Sequence, residues 1–470
     1  MKSTVTRRAS IPRCITPQRV WAAYWFGTTH ANGRRSLQAN IFNTVLPRLG
    51  FSWQPQSNTT VRGGFGLYDH MFSLDRYGSG LGTALGSAGS ANDQTSGITP
   101  VVKLDGNGTI YGTQTPLAFL APTTDPAALN GQSVSYTQFH TPVQKIYQWN
   151  AAIQHELRTN LVAEVSYVGS HGFNLIGPTD FNAVPATQLS SNDAQYRPYQ
   201  QYQNIPGNLL DGVSNYNSLQ AEITKRLSSD LSFSFNYVWS HFLDDQDSGA
   251  WGGAAGGQPH QIANNAHANY SNSNFDVRHA LKGTAVYQLP IGRGKQFLNN
   301  NSIADAVIGS WQITGTMAAM SGSSFAVYAD GVNYEMAQGS SQFPNRNPGV
   351  SSKPQHQGTN LWFNPAAFTK PANGTFGDVR RNSLRGPSSH NVNLSGRKTF
   401  TMPWEGIKLQ IRADASNAFN STSWGVPGAT NLASPDANVV YSGPNTDQIT
   451  GSSVSGCNVQ LELACRSKQG

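Results

Sequence analysis

Charge is scarce in this 470-residue chain: Asp, Glu, Lys and Arg together make up 12% of it, about half of what a soluble globular enzyme carries. No run of about 18 apolar residues occurs, so no transmembrane helix is expected. Cysteine is confined to the ends, at Cys14, Cys457 and Cys465, and neither a disulfide framework nor a zinc-ligand spacing can be read from it. A cysteine-free body suits passage through an oxidising compartment, although chance scarcity gives the same pattern. Acidic residues are missing from the first 42 positions, where Lys2, Arg7, Arg8, Arg13, Arg19, Arg34 and Arg35 account for the whole formal charge of +7. The remainder is balanced, so the body has no basic footprint and nucleic acid is not expected as a partner. The basic segment 1–42 is expected to be disordered and to lie outside the folded domain. Its stretch VWAAYWFG (20–27) is short, aromatic and without a small-residue cleavage site, and is read as no signal peptide.

What the chain does have is glycine (47 residues), aromatics (10%) and a period of two. In LSSDLSFSFNYVWSHF (227–242) Phe233, Phe235, Tyr237 and Trp239 alternate with Ser232, Ser234, Asn236, Val238 and Ser240. That predicts a strand with one aromatic face, since successive side chains leave opposite sides. Similar segments pair around short turns. IYQWNAAIQHEL and LVAEVSYVGS flank Arg158-Thr159-Asn160 and carry Tyr147, Trp149, Ile153, Val165 and Tyr167 on one side. NSLQAEITKRL, with Leu219 and Ile223, turns through Ser228-Ser229-Asp230 into the aromatic strand. HALKGTAVYQL and GSWQITGTMAAM, with Tyr287, Trp311 and Ile313, flank Pro290-Ile291-Gly292. NVNLSGRKTF and IKLQIRADAS, with Leu409 and Ile411, flank TMPWEG, and PRLGFSWQP with TVRGGFGLY makes a fifth pair. The opposite faces hold Glu164, Glu222, Lys282, Lys408, Arg412 and Asp414 among Gln, Ser, Thr and Asn.

Between the pairs run long stretches rich in Gly, Ser, Asn and Pro, roughly 71–140, 172–213, 244–276, 321–388 and 417–455. Compact soluble domains keep most connections short. Short turns alternating with long loops put all turns at one end of a meander and all loops at the other, as in outer-membrane barrels. A ten-residue strand tilted by about 45° spans roughly 23 Å, the height of their apolar band. The expected fold is therefore all-β: an antiparallel transmembrane β-barrel, or part of one, with about 10–12 strands over residues 43–470. The apolar residues named above are expected to face outer-membrane lipid and the charged ones to face the lumen. A soluble sandwich gives the same alternation strand by strand, so a secreted β-rich binding or adhesion protein stays open as the alternative.

Several longer segments resemble one family: SNYNSLQAEITKRLSSDLSFSFNYVWSHFLDD, NSNFDVRHALKGTAVYQLPIG, GSWQITGTMAAMSGSSFAV, FGDVRRNSLRGPSSHNVNLSGRKTF and LQIRADASNAFNSTSWGVPG. Together they are similar to the C-terminal barrel region of Oar-like TonB-dependent receptors, from about Pro47 to about Leu461. The resemblance implies a 22-stranded barrel closed by an N-terminal plug, insertion by the barrel-assembly machinery, and energy from the TonB system. It also implies an unidentified extracellular ligand. About eleven strands are countable here, neither plug nor TonB box is recognisable, and the end NVQLELACRSKQG has no terminal aromatic. The departures read as a fragment from a shortened or frame-shifted gene whose two ends lie outside the barrel; a non-functional pseudogene product is a second rival.

Chemistry is sparse. GRGKQF (292–297) lacks the spacing of a phosphate loop and reads as a turn. His260, His267 and His279 fall in one polar stretch, but nothing in their spacing makes them converge on a metal. Asp276 and Arg278 are expected to order a loop, and Asp244 and Asp245, as strand neighbours, to point apart. No nucleophile, base and orienting group can be assembled, so neither catalysis nor a cofactor is expected.

Overall fold

The computed structural model describes residues 44–70, 142–189, 194–228, 230–245, 265–292, 295–297, 307–329, 343–372, 374–401, 407–425 and 458–467, with isolated positions between them. Apart from positions 39 and 41, the basic segment 1–42 lies outside the described residues, as does His260.

One twelve-stranded sheet dominates. Its strands are β1 (Arg48–Gln56), β2 (Thr59–His70), β3 (Gln144–Arg158), β4 (Leu161–Asp180), β5 (Pro206–Ser228), β6 (Leu231–Asp244), β7 (Ser271–Asn272), β8 (His279–Gln288), β9 (Trp311–Met320), β10 (Ser389–Thr401), β11 (Ile407–Ser416) and β12 (Asn458–Ser467). β7 is a two-residue strand on β6, and the other eleven follow one another in chain order, each antiparallel to the next. The tight turns owe their geometry to Asn160 (φ 71°) and Asp230 (φ 67°), two residue types that tolerate left-handed backbone through local side-chain hydrogen bonding. Short turns β1–β2, β3–β4, β5–β6 and β10–β11 share one end of the sheet with the longer 289–310 connection. The connections 71–143, 181–205, 245–278, 321–388 and 417–457 share the other.

Two expectations are corrected. The stretch 172–213 is not all loop: β4 runs to Asp180 and β5 begins at Pro206, so their hairpin extends well past its neighbours. Irregularities at Gly172/Leu175 and Leu175/Ile176 interrupt the register there, with Asn174 left-handed at φ 55°. The pairing survives because Gln144 accepts from the Ile176 amide (3.3 Å) and Asn174 donates to the Val143 carbonyl (3.0 Å). The C-terminal segment is likewise part of the sheet, as β12 pairs with β11 over ten residues from Asn458 to Ser467.

Hydrophobic burial is concentrated off the sheet. Phe325, Val327, Tyr328, Phe343, Phe363 and Phe368 form a packed cluster inside the 321–388 connection. A smaller one joins Val134, Tyr202 and Ile205. Among the described residues the sheet is open between β1 and β12. Eleven alternating strands leave both edges running the same way, so direct pairing of β1 with β12 would make a parallel ladder in an otherwise antiparallel sheet.

Candidate functional site

Two features could carry function: the two faces of the sheet, and the polar assembly at its long-loop end. Strand register sorts the faces. Phe65 stands opposite Trp149, Ile153 opposite Val165, Tyr167 opposite Leu219, and Leu219 opposite Trp239. Ile223 meets Phe235, Leu231 meets Tyr287, and Tyr287 meets Ile313. Trp311 and Ile411 both meet Lys398, while Leu409 meets Phe400. With Tyr147 and Phe233 on the same alternation, all sixteen apolar positions singled out in the sequence fall in one continuous row. Leu49, Phe51 and Trp53 extend it across β1, and Val459 and Leu461 across β12. Much of the row is uncovered: Phe51 is 61% exposed, Ile153 57%, Trp239 52% and Leu461 80%.

Two lysines on this row, Lys398 and Lys225, sit toward the turn end and are capped locally. Lys398 is buried, donates to the Gly309 carbonyl (2.7 Å) and lies 5.0 Å over the Phe400 ring. Lys225 donates to the Ser228 carbonyl (3.2 Å). Long stems lying on apolar surface with the amine led to a polar edge are a snorkelling arrangement.

The opposite alternation is mostly polar. Glu164 stands opposite Glu222, Glu222 opposite Asn236, and Asn236 opposite Lys282. Arg412 and Asp414 share that side of β11, and the position of Lys408 has the same parity. Glu164 is ion-paired with Arg62 (2.5 Å) and Asp414 with Arg412 (2.9 Å). Around Lys282, residues Ser234, Asn236, Thr284, Thr316 and Asn393 line an open groove of about 360 Å³.

At the long-loop end, three of the quoted segments converge. Arg381, from FGDVRRNSLRG, is fully buried and donates to both the carboxylate and the carbonyl of Asp244, from SHFLDD. Arg385 donates to the buried carboxylate of Asp276, from NSNFDVRH, which also accepts from the Phe242 amide (2.7 Å) and lies 3.7 Å from Arg278. Asn272 and Asn382 exchange hydrogen bonds, each side-chain amide donating to the other's carbonyl (3.0 and 2.9 Å). Ser324 donates to the Ser273 carbonyl. This polar clamp binds the 265–278 and 321–388 segments to the ends of β5 and β6. Asp276 orders the loop as expected. The Arg381 and Arg385 partnerships were missed, because their partners lie 109–137 residues away in the chain.

The remaining candidates are accounted for locally. Lys295 of GRGKQF pairs with Asp230 on the adjacent turn. His267 stacks on Tyr270 (5.7 Å), and His279 Nδ1 lies 2.8 Å from the Tyr237 hydroxyl. Among the described residues no group of three His, Cys, Asp or Glu side chains is placed to hold a metal.

An alternating apolar row on one side, a polar side behind it, and strands joined by turns at one end and long loops at the other define an outer-membrane β-barrel protein. The model of the outer membrane beta-barrel domain family matches residues 15–460, and the chain belongs to that family. Its place is the cell outer membrane. No curated protein matches the chain. Solved structures similar to it include the outer membrane transporter YddB from Escherichia coli (10% identity, TM-score 0.44, 90% of this chain and 41% of that one). P. aeruginosa FpvA bound to heterologous pyoverdines is another (10% identity, TM-score 0.39, 92% and 34%). A third is the FrpB iron transporter from Neisseria meningitidis (8% identity, TM-score 0.38, 89% and 39%). The chain spans about two fifths or less of the length of each.

Proposed function

We propose that this chain forms the wall of a TonB-dependent receptor-type transporter, with the apolar row facing lipid, the polar face lining a watery lumen, and the long loops meeting an extracellular ligand. The observation that carries the reading is the apolar row: it crosses eleven strands, and large side chains at intervals along it, Phe51, Trp53, Ile153, Trp239 and Leu461 among them, stay more than half exposed. Soluble proteins rarely leave apolar patches larger than a few hundred Å² uncovered. A secreted sandwich would cover this face with a second sheet, whereas the packed apolar clusters here lie in the loops. The Oar-like segments support the finer assignment. Barrel-assembly machinery as the inserting partner and the TonB system as the energy source follow from it, although no TonB box is recognisable in the sequence.

An open sheet edge in lipid leaves backbone groups unpaired at several kcal/mol each. Because β1 and β12 run the same way, an odd number of further antiparallel strands between them completes the wall while keeping every ladder antiparallel, as bacterial outer-membrane barrels do. Membrane fractionation with a carbonate wash tests the reading. The chain stays with the outer membrane and migrates faster unheated than boiled; recovery only in the soluble fraction, or only as aggregate, defeats it.

A further inference from the structure

On the polar face, β6, β8, β9 and β10 align two adjacent rungs. One holds Asn236, Lys282, Ala318 and Asn391, and the next Ser234, Thr284, Thr316 and Asn393. These side chains line the open groove of about 360 Å³, within the range of about 300–1,000 Å³ of small-molecule sites. Ala318 makes its floor, since the longer Lys282 and Asn391 stand on either side of it. Strands about 4.8 Å apart and residues two apart along them give a patch of roughly 14 by 7 Å.

The rungs differ in what their polar groups already do. In the second, Asn393 donates to the Thr316 hydroxyl (3.3 Å) and accepts from the Asn417 amide (2.8 Å), while Ser234 accepts from Thr224 (3.2 Å). In the first, the side chains of Asn236, Lys282 and Asn391 have no hydrogen-bond or ion-pair partner among the described residues. The next charge along that rung is Glu222, opposite Asn236 and about 10 Å of strand spacing from Lys282; it accepts from Thr224 (2.9 Å). The groove thus presents one ammonium, two carboxamides and the Thr284 hydroxyl, with no acid and no aromatic ring in its lining. One ammonium matches one negative charge through a charge-assisted hydrogen bond. Carboxamides and a hydroxyl match further hydroxyls, and the lack of rings gives an apolar ligand little to bury against.

We propose that this groove binds a hydroxylated monocarboxylate of sugar-acid size, its carboxylate on Lys282 and its hydroxyls on Asn236, Thr284 and Asn391. The site deepens the reading of the polar face as the wall of a watery lumen, and rests on it for access of the solute.

Equilibrium dialysis of radiolabelled gluconate against the full chain refolded in detergent micelles tests this, on samples that migrate faster unheated than boiled. Saturable binding that glucose does not displace is expected, weakened about 10- to 100-fold by Lys282→Gln, the loss of one charge-assisted hydrogen bond. Asn391→Asp, which gives the ammonium a carboxylate within the groove, should weaken binding as strongly. Gluconate held no better than glucose, or binding unchanged in either variant, overturns the site alone. A chain that never reaches the heat-modifiable form defeats the wall reading and the site together.

Discussion

Placing arginine at position 235 tests the apolar row where it is most continuous. Phe235 stands between Ile223 of β5 and Gly283 of β8, and its ring lies so close over Gly283 that a Cβ there would come within 2.2 Å of it. The Phe233 ring lies 5.6 Å away on the same face. A charged side chain near the middle of a lipid-facing strand costs about 2–4 kcal/mol, which lowers the folded-to-unfolded ratio by about 30- to 700-fold. Asn236→Arg, one residue further on, puts the same charge on the polar side between Glu222 and Lys282. There it is solvated and faces one charge of each sign, so its effect stays within about 1 kcal/mol. Urea titration of folding into liposomes, read by heat-modifiable migration, measures both. Equal losses for Phe235→Arg and Asn236→Arg, or full folding in buffer without any amphiphile, would refute the reasoning.

Other expectations follow from the loop end. Arg385→Ala leaves the fully buried Asp276 carboxylate with only the Phe242 amide and the more distant Arg278, and costs about 1.5–3 kcal/mol of local stability; protease cleavage within 265–278 rises while membrane insertion persists. Asn182 is fully buried, donates to the Tyr199, Tyr202 and Gln203 carbonyls and accepts from the Tyr199 amide. Asn182→Ala removes the acceptor of the Tyr199 amide at about 1–3 kcal/mol, while the Tyr199 and Gln203 carbonyls keep the Tyr202 amide and Arg197, so exchange in the 181–205 connection accelerates without change elsewhere. A Cβ on Gly322 would meet the Gly386 carbonyl oxygen at 1.8 Å, so Gly322→Ala pushes the Arg385–Pro387 segment away and exposes Trp362, whose indole donates to the Arg385 carbonyl (2.8 Å). A red-shifted tryptophan emission checks that, and an unchanged spectrum counts against it.

The strands were legible wherever one face is uniformly apolar, because a period of two is a local signal. Phe233 to Trp239 and Tyr147 to Ile153 declare their faces from a dozen residues each. The hairpin extension beyond Gly172 was not legible, since HGFNLIGPTD and PGNLLDGV mix Gly and Pro with polar residues and hold their pairing through contacts from Gln144 and Asn174. β12 was passed over because NVQLELACRS is short and ends unlike the family, though Val459 and Leu461 already alternate with Gln460. The clamp had no local signature at all. Arg381 reads as a surface residue in a Gly- and Asn-rich stretch, and only the fold brings it to Asp244.

Nitroxide scanning of residues 233–239, with Cys14, Cys457 and Cys465 replaced by Ser, puts the orientation of the sheet to the most direct test. In lipid, labels at 233, 235, 237 and 239 should be relaxed by oxygen, and those at 234, 236 and 238 by a water-soluble nickel chelate. Relaxation of all seven by the chelate, or the reverse alternation, would contradict a membrane-facing apolar row.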